Sequence, residues 1–271
     1  MKKVVVFSRR ILLFIAFLLI MSFGKSIHAQ ALSYDKAICI KMVTKDYTGP
    51  NLSTRINLDD PYDHITNVKT SDSHLKAAVS FSASGDNAYD YEEIQMFATK
   101  RGKYKIFFDV VDKDGKLKSS ESITVYVRTV KESLDAIKSI KIGKTEIKKQ
   151  LLKDKYTTRD VDVKKSGKLK IKMKKGCKLK EIYVNRIVKM DNPEAYSNGS
   201  KITYTTKTET IQNGSMLILS EAGMYDKSVD NYGKQTEEIH SSNFSYTTLR
   251  LKFTDKNGAL TTQYIIIRSA I

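Results

Sequence analysis

Tryptophan is absent from this 271-residue chain, proline occurs three times, cysteine twice and histidine four times. Each scarcity removes a class of protein. Two cysteines, Cys39 and Cys177, do not make the dense disulfide framework of a small secreted scaffold, and a chain of this length buries cores without staples. They read as two buried free thiols, with a bridge between the halves of the chain as the alternative. Beyond the N-terminus no long apolar pattern of period 3.6 occurs, which leaves little room for amphipathic helices.

Catalytic chemistry is equally thin. His64, His74 and His240 follow no spacing that suggests metal ligation or a base beside a nucleophile. Cys177, His240 and Asp226 can be drawn as nucleophile, base and orienter. Yet Gly176-Cys177 falls at a turn between two lysine-laced strands, where a small side chain is ordinary, so a cysteine-dependent enzyme is the third reading. The paired acids Asp59-Asp60, Glu92-Glu93 and Glu237-Glu238 would point to opposite faces of a strand, and they read as solvated loop charge. No cofactor and no metal is expected. Asp112-x-Asp114-Gly115 resembles the start of a calcium loop, but Val110 stands where a ligand is needed and the second copy of the stretch fails likewise.

Only one long apolar run is present. Lys2, Lys3, Arg9 and Arg10 precede apolar residues from Ile11 to Met21, and Ala29-Gln30-Ala31 offers small residues where a signal peptidase would cut. Residues 1–31 therefore read as a secretory signal cleaved near Ala29 to Ala31, an uncleaved anchor being the competitor. No later segment is apolar enough to span a bilayer, so the expectation is a released protein, extracellular or associated with the cell envelope.

Acidic residues are scarce in one place only. The chain carries 47 basic and 30 acidic residues; residues 32–137 hold 15 and 16, residues 138–189 hold 19 and 5, and residues 190–271 hold 8 and 9. Within the basic stretch Lys168, Lys170, Lys172 and Lys174 alternate with Leu169, Ile171 and Met173, and Lys178 and Lys180 with Leu179. Alternation of period two puts lysines on one face of a strand and aliphatics on the other. With Lys164 and Lys165, this face is either a solubilising surface that discourages strand pairing or a site for a polyanion. Arginine and aromatic residues are nearly missing from it, which excludes specific nucleic-acid recognition.

What the chain has in abundance is strand signal. Residues 106–115 and 249–258 are near copies 143 positions apart, each an alternating strand running into Asp114-Gly115 or Asn257-Gly258 and followed by a second β-rich run. Both turn residues tolerate the positive φ of a tight hairpin. Further strands are expected at 37–45, 65–69, 75–81 and 93–98, then at 139–142, 146–151, 168–173, 178–188, 201–208, 215–219, 247–254 and 260–268. Short strands separated by turn-rich pieces indicate antiparallel sandwiches.

The run Gly102-Lys103-Tyr104-Lys105-Ile106 resembles the entry into the penultimate strand of immunoglobulin-like domains, where a tyrosine hydroxyl bonds back to the preceding loop. With the Gly115 hairpin it resembles the bacterial immunoglobulin-like domains of secreted and surface proteins. The second half is similar around Gly258, but Tyr246 is one position out of register with Tyr104 and no glycine matches Gly102. The resemblance implies an all-β chain of two tandem immunoglobulin-like sandwiches, 32–130 and 138–271, joined by a linker at 131–137. It also implies a scaffold or adhesion role, since such folds host many functions. Residues 220–245 read as a long irregular loop which, with 192–200, brings Tyr196, Tyr225 and Tyr232 to a partner-binding position. Two functional expectations follow. One is a non-enzymatic, adhesion-like protein held electrostatically to an anionic envelope polymer, polysaccharide or host surface component. The other is an accessory or inhibitory module that binds another secreted protein through edge strands or the 220–245 loop.

Overall fold

The computed structural model describes residues 32–44, 52–81, 91–153, 159–195, 201–229, 235–240 and 243–270. The chain is all-β, with two separate clusters of buried apolar residues.

The first cluster lies between two sheets. One sheet has the order β2 (Leu52–Asn57), β5 (Tyr91–Ala98), β4 (Leu75–Phe81). The other runs β3 (His64–Thr70), β6 (Gly102–Val111), β7 (Leu117–Arg128), β1 (Ala37–Lys41), with β1 parallel to β7. These are the B-E-D and C-F-G orders of an immunoglobulin-type sandwich. Ile56, Ile94 and Met96 from one sheet meet Ile106, Phe108 and Ile123 from the other, and alternation along β6 makes every second residue a core residue.

The second cluster is built the same way. A small sheet of β14 (Met216–Leu217), β11 (Gly167–Met173), β8 (Ile137–Ile142) and β9 (Thr145–Glu146) faces a larger one of β13 (Lys201–Thr210), β12 (Lys178–Ala195), β17 (Phe244–Thr254) and β18 (Leu260–Ala270). β10 (Asp160–Asp162) lies parallel on β18, as β1 lies on β7. Leu169 and Ile171 of the small sheet share their core with Ile182, Leu251, Phe253 and Ile265 of the large one. A bridge between Ile38 and Leu260 makes β18, β1 and β7 neighbours, so the two larger sheets run on as one.

Several expectations change on contact with the structure. Residues expected as a strand at 146–151 form α1, Ile147–Lys153, because Ile147 and Leu151, one helical turn apart, both bury into the second core. Residues 220–245 are not an irregular loop: β15 (Met224–Val229) pairs antiparallel with β16 (Gln235–His240), placing Tyr225 opposite Ile239. β2 and β10 fall where no strand was expected. Cys39 is buried, whereas Cys177 is half-buried, being in a turn at the sandwich end. Glu92 is not solvated loop charge: it is 1% exposed and accepts the Ile65 N–H at 2.8 Å, with His64 Nδ1 at 3.1 Å. Residues 131–137 hold a short 3-10 turn at Glu132–Leu134, and Leu134, Ala136 and Ile137 bury into the second core.

The duplicated turn is present twice, with a different geometry from a two-residue hairpin. Within each turn only the glycine, Gly115 or Gly258, has positive φ, 77° in both. The Gly115 N–H donates to Asp112 O and the Asp112 N–H to Lys116 O, both at 3.0 Å, which is a type I turn followed by a left-handed residue. Asp112 Oδ1 also accepts the N–H groups of Asp114 and Lys116, at 3.0 and 2.9 Å. Asp255 repeats the pattern on Asn257 and Ala259, at 2.8 and 3.0 Å. Of the acids that suggested a calcium loop, Asp112 is occupied by turn chemistry, and Glu121, which falls where such a loop would place its bidentate glutamate, is engaged by Tyr34 and Lys36.

Candidate functional site

The lysine alternation is real in β11: Leu169 and Ile171 point inward, while Lys168, Lys170 and Lys172 are exposed. A one-residue slip would drive two buried aliphatics into water, which costs roughly 3 to 6 kcal/mol and pins the lysines outward. On β8, Lys141 stands directly opposite Lys170, and Ser139 opposite Lys172. Among the described residues one carboxylate answers this row, Glu146, 3.8 Å from Lys141. Lys164 and Lys165 are exposed in the bend leading into β11, and Lys174 is exposed just beyond its end. Crowding of like charge is felt nearby: burial first, and then the Lys174 ammonium, hold the Lys148 amine below the ordinary lysine range.

Lys178 and Lys180 do not belong to this face. β11 and β12 lie in different sheets, so the turn between them, with Gly176 at φ 78°, crosses the sandwich instead of closing a hairpin. Two sheets packed on one core present their outer faces in opposite directions, so these lysines leave the β11 row behind. Lys180 lies near Asp35, whose carboxyl is pushed up by burial against the opposing pull of Lys252 and Lys180.

Tyr196 and Tyr232 lie outside the described residues, and the side chain of Tyr225 does too, so the three expected partner-binding tyrosines are not located relative to one another. The same holds for the side chains of His240 and Asp226 beside Cys177. Tyr104 makes the corner expected of it: its hydroxyl donates to Lys100 O at 3.0 Å, and a Cβ on Gly102 would sit 2.9 Å from the ring. In the second half Tyr246 points outward, and the inward place is taken by Thr247, whose Oγ1 accepts the Ser220 N–H at 2.8 Å.

At the junction of the two cores the turn aspartates part company. Arg128, from the end of β7, bonds Asp255, and their side chains are 20% and 6% exposed. Burial pushes the Asp255 carboxyl up, but the Arg128 guanidinium and the N–H groups of Ala259 and Asn257 outweigh it and hold its pKa below the ordinary range.

One group of residues was not singled out by the sequence. On the outer face of the large sheet, β12, β17 and β18 bring Tyr183, Arg250 and Tyr264 into a single cross-strand row. The Arg250 guanidinium lies 4.0 Å from the centre of the Tyr183 ring, and Tyr264 is 44% exposed on the other flank. Alternation along 244–254 would have put Arg250 on the outside with Tyr246; the cross-strand register that joins it to Tyr183 is not written locally.

No protein-family model matches the chain, and no curated protein does. Among solved structures it is similar to domains 5-6 of the S-layer protein SbsC, with 12% identity and a TM-score of 0.30 over 88% of this chain and 96% of that one. It is also similar to the sialic acid binding region of a Streptococcus sanguinis adhesin, with 10% identity and a TM-score of 0.27 over 89% and 78%. For the D0-D1 domain of intimin the values are 10% and 0.25 over 88% and 94%. Likeness at this level carries no argument about function.

Proposed function

We propose that the chain is a secreted, non-enzymatic binding protein of two tandem immunoglobulin-like sandwiches, and that its second sandwich associates with an anionic polymer through the β11 lysine face. The observation that carries this reading is the outward row of Lys168, Lys170 and Lys172, with Lys141 beside it and one distant carboxylate. A flexible anionic chain needs no shaped pocket; it needs unpaired cations at regular spacing, and strand alternation supplies one about every 7 Å. Lys164, Lys165 and Lys174 extend the row at its two ends.

The test is retention on a sulfated polysaccharide matrix as salt is raised. Wild type should elute late, and the triple variant Lys168→Gln, Lys170→Gln, Lys172→Gln early. For a linear polyanion the slope of log affinity against log salt should fall by about 2 to 3 when three contacts are removed. Unchanged elution would sink the lysine-face reading. A second reading, strand addition by a protein partner, is favoured by β13: it is an edge strand, and Thr205, Thr206, Lys207 and Thr208 are all exposed, so both its faces are bare. Binding by that route would hold at high salt.

A further inference from the structure

We infer that the Tyr183–Arg250–Tyr264 row is a binding site for a carboxylated sugar, separate from the lysine face and on the opposite side of the second sandwich. Arg250 is half-buried, and among the described residues it has no ion pair and no side-chain hydrogen bond; its Nε is buried without an acceptor. Arg101, Arg128, Arg186 and Arg268 each face a carboxylate. A guanidinium with a buried Nε that has no acceptor, and no anion beside it, is an unmet demand, and such groups call for an explanation. The carboxylate positioned diagonally across the strands, Glu181, is taken by Lys252 at 3.2 Å.

The surroundings say which anion fits. The Tyr183 ring, 4.0 Å from the guanidinium, holds the charge in place from one side, and Tyr264, 44% exposed on the neighbouring strand, offers an open aromatic surface on the other. Rings of this kind cover the C–H faces of a pyranose, while the planar guanidinium fork matches a carboxylate. On one side the adjoining row carries the neutral Asn185 and Thr248, Thr210 ends the row itself, and on the other side the Glu181 carboxylate is already neutralised by Lys252. That combination suits a uronic acid better than a bare phosphate, which would gain nothing from the rings.

The experiment is affinity electrophoresis of the full chain in gels cast with polygalacturonate, in about 0.5 M salt, where the Debye length is about 4 Å and the lysine face is silenced. The chain should be retarded by polygalacturonate and not by its fully methyl-esterified form. Arg250→Gln should weaken binding about tenfold, and Arg250→Lys, which keeps the charge and loses the fork, should weaken it too. Tyr264→Ala, at a position 44% exposed, should weaken it several-fold by removing one ring while leaving the melting midpoint nearly unchanged. The triple lysine variant should bind as wild type here while losing low-salt retention by dextran sulfate, so each site fails or survives by its own probe. No retardation of wild type, equal retardation by the methyl ester, or wild-type binding by both Arg250→Gln and Tyr264→Ala would overturn the inference.

Discussion

Removing the carboxylate from each of the two copied turns should cost very different amounts. Asp112 and Asp255 make the same two side-chain bonds to backbone N–H groups, at 2.8 to 3.0 Å. Those bonds are worth about 1 kcal/mol to an exposed turn, and Asp112→Ala should lose about that much. Asp255 is also the anion for Arg128, and with only 20% of the Arg128 side chain and 6% of the Asp255 side chain exposed, its removal strands a poorly hydrated cation. Breaking a buried pair from one side costs about 3 to 5 kcal/mol; the residual exposure of Arg128 puts the expectation at the low end, about 3 kcal/mol beyond the turn itself. Asp255→Ala should therefore lower the melting midpoint by about 10 °C and Asp112→Ala by about 3 °C. Denaturant unfolding of both variants, with Arg128→Ala completing a double-mutant cycle, measures this directly. A coupling between positions 128 and 255 below about 0.5 kcal/mol, or equal losses for the two aspartates, would refute the reasoning.

Four further outcomes are checkable. Asp255 has a depressed pKa in the fold, so its contribution is fully present above the ordinary carboxylate value and is lost as pH falls through the folded value; acid unfolding of Asp255→Asn should be less steep than that of wild type between about pH 5 and 2. Lys170 faces Lys141 across the strands, and Lys170→Gln should raise stability by a few tenths of a kcal/mol, seen as a small upward shift in denaturant midpoint. Tyr104→Phe should cost about 1 kcal/mol through its hydroxyl, and Gly102→Ala about 1 to 3 kcal/mol because the new methyl meets the ring. Thr247→Val keeps the shape and leaves the buried Ser220 N–H without an acceptor, which calorimetry should register as a loss of about 1 to 3 kcal/mol.

Strands with one wet face were readable because burial writes a period of two into them: β4 was placed at its observed bounds, and the inward residues of β6, β11 and β17 follow from alternation alone. Elements without that period were not. Met224–Val229 and Gln235–His240, which pair as β15 and β16, show no alternation of apolar and polar residues in the sequence. α1 left a faint signal in Ile147 and Leu151, too short to outweigh its β-rich surroundings. The turn at Gly176 shows why the lysine site was half legible. A tight hairpin and a crossing between sheets use the same small residues, so which lysines share a face depends on pairing partners far away in the chain.

Differences between the two sandwiches account for the placing of both candidate sites on the second. The Asp255 turn is fixed against the first copy by Arg128, and the sheet runs on through Ile38 and Leu260, so that end of the second sandwich is committed to the junction. What remains open are its two outer faces, and there the copies differ in charge. The first copy's larger sheet carries Lys103, Lys105 and Asp109 outward on β6, with Asp109 held by Ser120 at 2.6 Å and Asn67 at 2.8 Å and pulled on by Lys69, so both signs of charge share that face. The second copy keeps uncompensated cations on both sides, ammonium groups on the small sheet and the Arg250 guanidinium on the large one. Unpaired charge costs stability, as the Lys170 prediction quantifies, and on the proposed reading anions from outside the chain offset that cost.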